Sequence, residues 1–199
     1  MAYVVIGLGN PGGEYAGTRH NAGRMAAERF AADANLSEFA AKKTAQGMVA
    51  DGAIGGQKVL VALPDTLMNA SGRTAAALVK SKPAAKKLLV IRDDLDLPLG
   101  TIKLTGYGRG SGGQKGVESI ARALRTKDFA QLKIGISSQT AKGKLKKASG
   151  EEAVVKHVLG KFAPREQEAL ERSLAKASEA TRLFIEKGIG AAMLYANTK

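Results

Sequence analysis

Tyr3-Val4-Val5-Ile6-Gly7-Leu8-Gly9-Asn10-Pro11-Gly12-Gly13 is a short β-rich run that stops in turn residues. An apolar strand that ends in glycines and leads to a helix opens an α/β domain. The stretch also holds Gly7-x-Gly9-x-x-Gly12, the spacing of a dinucleotide-binding turn. In that motif the helix begins among the glycines, so that its N-terminus receives the pyrophosphate. Here Pro11-Gly12-Gly13 prolongs the turn. Helical spacing (Met25, Ala26, Arg29, Phe30) starts only near Asn21, which reads as an N-cap. The acid expected roughly 20 positions on, at the end of a second strand, is represented only by Glu28, inside that helix. A nucleotide-dependent oxidoreductase is therefore demoted to a competing reading.

Outward from this start, Gly47 to Ile54 and Lys58 to Leu63 read as strands of a hairpin turning at Gly55-Gly56. Thr74 to Lys80 and Val117 to Leu124 read as helices; Leu88 to Ile91, Thr101 to Leu104 and Leu132 to Ser137 read as strands. Pro164 opens a long amphipathic helix over 164–187, placed where a first helical turn tolerates proline. Strands interleaved with helices predict an α/β fold: a single domain, 1–199, with a mixed, twisted central sheet covered by helices on both faces. The segment 139–150 carries Lys142, Lys144, Lys146 and Lys147 with no acidic residue, and is expected to be a mobile loop.

Lys and Arg outnumber Asp and Glu by 31 to 18, giving a net charge of +13. A domain this basic is drawn to phosphate-rich polymers. Aromatic residues make up 5% and there is no Trp, which argues for phosphate and backbone recognition over base stacking. There is no Cys and His occurs twice, so neither disulfides nor a Cys or His-rich metal site is expected. The N-terminus lacks a basic region and its apolar run is too short for a signal peptide or a membrane span. A cytoplasmic monomer without metal or cofactor is expected.

Two residues are candidates for chemistry. His20 lies in Thr18-Arg19-His20-Asn21, at the start of a helix, and Asp93 follows an apolar strand, at the edge where α/β sites form. A lone His is usually structural. A buried Asp that accepts from one imidazole nitrogen, however, fixes the tautomer and frees the other nitrogen to act as a base. No Ser sits in a G-x-S-x-G elbow, so the simplest nucleophile is water. The cluster Gly106 to Gly113 is no Walker motif, because Gln114 separates its last glycine from Lys115. It reads as a flexible loop or, preferably, as a backbone surface that a bulky substrate approaches closely. By pattern alone Asn10 and Asn69 are turn residues.

The same residues carry a family resemblance. Gly7 to Gly12, Glu14-Tyr15, Thr18 to Gly23, Met68-Asn69-Ala70-Ser71-Gly72, Asp93 to Pro98 and Val158 to Phe162 resemble, in order, the signature blocks of bacterial peptidyl-tRNA hydrolases. The resemblance implies hydrolysis of the ester joining a peptide to the 3′ end of tRNA, with peptidyl-tRNA as partner. It implies that His20 deprotonates water and Asp93 orients His20. Asn10 would position the peptide, and Asn69 with Met68 would hold the substrate and its oxyanion. Tyr15 and Leu67 would border the tRNA 3′ end, Lys103 and Lys133 would clamp the 5′ phosphate, and position 115 would contact the tRNA end.

The chain departs from the family pattern at two points. Gly113-Gln114-Lys115-Gly116 stands where Gly-His-Asn-Gly is usual, and Arg92 stands where His is common. Lys115 cannot accept a hydrogen bond as an amide oxygen does, which puts its tRNA contact in doubt. A non-catalytic RNA-binding homologue is the alternative these changes keep open.

Overall fold

The computed structural model describes residues 1–140 and 142–198. Positions 141 and 199, which belong to the expected loop 139–150 and the expected domain 1–199, lie outside the described residues. Along the chain the elements are β1 (Tyr3–Gly7), α1 (Ala22–Asp33), β2 (Ala40–Lys42), β3 (Gly47–Ile54), β4 (Gln57–Pro64), α2 (Gly72–Leu78) and α3 (Lys82–Ala85). There follow β5 (Leu88–Pro98), β6 (Ile102–Thr105), α4 (Lys115–Leu124), β7 (Ala130–Gln139), β8 (Leu145–Lys146), α5 (Glu151–Leu159), α6 (Gln167–Lys187) and α7 (Ile189–Asn197).

Side chains alternate along a strand, so β1 sends Val5 to one face and Val4 and Ile6 to the other. In β5, Leu89 and Ile91 oppose Leu88 and Val90 in the same way. Both faces are apolar and both are covered. Residues of α1, α6 and α7 pack on the Val5 face, and residues of α2, α3 and α4 pack on the other. The strand order is β2-β3-β4-β1-β5-β7-β6, with β8 added on β7. The run β4-β1-β5-β7 is parallel; the remaining pairs are antiparallel. The sheet is mixed and covered on both faces, as the sequence predicts. The hairpin turn falls at Gly55 and Gly56, whose φ values of 54° and 77° suit a tight primed turn.

Three differences matter. β5 does not stop at Ile91: Arg92, Asp93 and Asp94 stay in register with Lys133, Ile134 and Gly135 before the pairing slips towards Pro98. Asp93 thus belongs to the strand rather than following it. Asn21 holds the N-cap position of α1, but its side chain does not cap the helix. The lysine-rich segment includes ordered pairing, Leu145 with Gln139 and Lys146 with Ser138.

The topology places the site. From β1 the chain passes through α1, on one face, to β4 on one side of β1. From β4 it passes through α2 and α3, on the opposite face, to β5 on the other side of β1. A crevice opens at the carboxyl ends of β1 and β5, where strand order reverses.

Candidate active site

Two glycines let α1 sit close over that crevice. A Cβ at Gly7 would stand 2.5 Å from the Ala27 Cβ, and one at Gly23 would stand 2.2 Å from the Ile91 carbonyl oxygen. Gly7 of the opening motif, with Gly23, therefore makes room for a helix rather than for a pyrophosphate. The Arg24 N–H donates to the Leu8 carbonyl (2.9 Å), and the Arg19 N–H donates to the Gly160 carbonyl (3.0 Å). Those bonds hold the 3-10 turn Arg19–Asn21 over the strand ends. His20 Nδ1 consequently lies 3.0 Å from Asp93 Oδ2, with the carboxylate buried and the imidazole mostly so.

Burial pulls the His20 pKa down. The hydrogen bond and charge of Asp93 outweigh that and leave it raised above its ordinary value, while Lys115 opposes them. Such a pair has the geometry a general base needs: Asp93 accepts the Nδ1–H hydrogen bond and so leaves the Nε2 lone pair free.

Asp93 Oδ1 is also engaged. It accepts from Gln114 Nε2 at 3.1 Å, and Gln114 Oε1 accepts the Gly116 and Val117 N–H groups at the start of α4 (2.6 and 3.1 Å). His20, Asp93, Gln114 and Lys115 line a cleft of about 220 Å³ closed on its apolar side by Leu95, Val154, Val155 and Val158. A larger cavity of about 580 Å³, with Arg109, Arg122, Arg125 and Lys127 in its wall, contains none of these groups.

Asn10 is fixed from three directions. Its N–H donates to Asn21 Oδ1 and its carbonyl accepts from Asn21 Nδ2, both at 2.9 Å. Its own Oδ1 accepts the Met68 N–H at 2.8 Å, which leaves the Asn10 amide NH₂ as its remaining donor. Met68 is buried beneath a 3-10 turn, Met68–Ala70, that presents Asn69 and Leu67 to solvent. Tyr15 is half-buried in the loop between β1 and α1.

Beyond Asp93, Arg92 and Lys133 are register partners, as are Lys133 and Lys103, so three cations cross three neighbouring strands. Asp94 Oδ2 pairs with two of them, Arg92 Nη1 at 3.3 Å and Lys133 Nζ at 3.2 Å. Lys103 is exposed. Sequence reasoning missed the roles of Asn21 and Gln114 in fixing Asn10 and Asp93. The only signal was that each is polar and adjoins a glycine motif.

A doubly wound α/β domain with a His–Asp pair at its switch point, beside a cleft and a fixed amide, has the makings of a hydrolase acting through activated water. The comparisons give that class its family. The peptidyl-tRNA hydrolase family model matches residues 4–199, and the chain belongs to that family. A peptidyl-tRNA hydrolase of Dehalococcoides mccartyi is 39% identical over 190 residues, 95% of this chain and 96% of that protein. One of Herpetosiphon aurantiacus is 41% identical over 194 residues, covering 96% and 88%. The crystal structure of peptidyl-tRNA hydrolase from Acinetobacter baumannii superposes with a TM-score of 0.86 at 32% identity, covering 99% of this chain and 95% of that one.

Among the described residues, no helix is long and apolar enough to cross a membrane, and no group of three or more His, Asp or Glu is placed to hold a metal ion.

Proposed function

We infer that this chain hydrolyses peptidyl-tRNA, with His20 as the general base. The observation that carries the reading is the 3.0 Å contact of His20 Nδ1 with the buried Asp93 carboxylate, at the crevice of a fold its family shares. A water molecule gives its proton to His20 Nε2 as its oxygen bonds to the ester carbonyl carbon. The carbonyl oxygen takes up the negative charge, and the exposed Asn69 amide donates to it. One preorganised donor at that oxygen contributes about 3–4 kcal/mol to a transition state. The intermediate then collapses: the ribose oxygen leaves with the proton His20 took, giving tRNA and a peptide with a free carboxyl group.

The Asn10 amide NH₂ positions the peptide, since its oxygen is occupied by Met68. Tyr15 and Leu67 border the 3′ end, and Lys115, beside His20, contacts it as a point charge. Lys103 and Lys133 take the 5′ phosphate; the tie to Asp94 makes Lys103 the freer of the two. On this reading one single-domain chain supplies every one of these groups and acts as a monomer. A substrate made by ribosomes supports a cytoplasmic setting.

The test is release of the N-acetyl-amino acid from N-acetyl-aminoacyl-tRNA by the protein and by His20→Ala. The expected result is turnover that the variant loses while it still binds tRNA. Binding without turnover by the intact protein would mean an RNA-binding relic instead.

A further inference from the structure

Gln114 occupies a place where its two amide atoms are told apart by their partners. Its Oε1 accepts two backbone N–H groups of α4, which only an oxygen does, so Nε2 must be the atom turned to Asp93 Oδ1. The residue is 7% exposed, and Asp93 4%, so solvent does not compete freely for this contact. Asp93 therefore meets two donors, His20 on Oδ2 and Gln114 on Oδ1, and its carboxylate plane is fixed by both.

We propose that Gln114 is a positioning residue of the hydrolytic reaction: it ties the start of α4 to Asp93 and so sets how Asp93 holds His20. The inference rests on His20 and Asp93 being the base and its partner. The amide stabilises the carboxylate charge and moderates its pull on the imidazole proton. Around this contact the charged groups are His20, Arg92, Asp94, Asp96, Lys115 and Lys147, and none of these six replaces an amide donor aimed at Oδ1. Gln114 does double duty, because the same side chain is the N-cap of α4.

Two substitutions in the full chain separate those duties. Gln114→Ser keeps an oxygen that caps a helix but is too short to reach Asp93. Gln114→Asn likewise keeps an oxygen that caps a helix, on a side chain one methylene too short to reach Asp93. In both, Asp93 loses its competing donor, so the His20 pKa rises and the acidic limb of kcat/KM against pH moves up. The shift should be up to about one pH unit and of similar size in the two variants. With N-acetyl-aminoacyl-tRNA, kcat should fall roughly tenfold and KM stay near that of the parent, because Gln114 does not touch substrate in this scheme. Limbs that stay where they are in both variants, with rates lowered by one factor at every pH or not at all, would overturn the proposal and leave Gln114 a helix cap. His20→Ala with undiminished turnover would overturn the reading beneath it instead.

Discussion

His20 couples rate to stability with opposite signs. Its pKa in the folded protein is raised, since the hydrogen bond and charge of Asp93 outweigh the burial that lowers it. The protonated imidazole therefore stabilises the fold. That contribution is fully present below the unfolded value, near ~6.5, and is lost as pH rises through the higher folded value. As the proposed base, His20 works only when neutral, so the enzyme is predicted to be active where His20 contributes least to stability. The gap in Tm between the protein and His20→Ala should narrow as pH is raised from about 5.5 to about 8.5; a gap that stays constant would contradict the pairing. Asn21 makes a second prediction at this scale. Its amide bonds the Asn10 backbone in both directions, and Asn21→Ala leaves two buried backbone groups unpaired. A loss of about 1–3 kcal/mol is expected in denaturant unfolding, with a fall in turnover as Asn10 drifts. Unchanged turnover would show that Asn10 needs no such support. The pairing of His20 with Asp93 was legible in sequence because few residue types suit a base and its partner. Asn21 was not, because an amide at a helix start reads first as a cap, and Gln114 was not, because it stood out only as a departure from the family pattern.

At the scale of elements, α1 decides whether His20 meets Asp93, and Gly23 decides whether α1 comes close enough. A Cβ there would lie 2.2 Å from the Ile91 carbonyl oxygen and 2.9 Å from that of Leu8, both backbone atoms with little freedom to yield. Gly23→Ala should destabilise by roughly 1–3 kcal/mol and cost turnover more than tRNA binding, since it lifts the turn that carries His20. A variant with parental Tm and kcat would show that α1 is not seated as described. The main elements were legible from period and punctuation: the hairpin at Gly55-Gly56, the buried strands, the helix after Pro164. Others were not. α7 begins between Gly188 and Gly190, which read as breaks, and β2 is three exposed residues paired on one edge. The end of β5 was misplaced because the paired residues after Ile91, Arg92 to Asp94, are polar. Their charges are met by one another, by Lys133 and by His20 rather than by solvent.

Across the whole molecule, a net charge of +13 faces a polyanion. The apparent affinity for tRNA should fall linearly with salt on a logarithmic scale, with a slope near −0.9 for each phosphate neutralised on a duplex. Lys103→Ala should shallow that slope by about one contact. Replacing Lys142, Lys144, Lys146 and Lys147, all exposed, with Ala should shallow it too; an unchanged slope would exclude the 139–150 segment as a phosphate contact. The charge balance was plain in the sequence. Its local cancellation was not, since Lys133 tied to Asp94 and Lys147 tied to Asp96 are long-range pairings.

The central claim is that Asp93 makes His20 a base. In Asp93→Asn the amide oxygen stays with Gln114, so the NH₂ faces His20 Nδ1 and moves the imidazole proton to Nε2. The measurement is kcat/KM on N-acetyl-aminoacyl-tRNA against pH for the protein and for this variant. The rate should fall about 10²–10⁴-fold, and what remains should have its acidic limb at lower pH, because burial and Lys115 then act unopposed. Near-parental rates with an unmoved limb would contradict it.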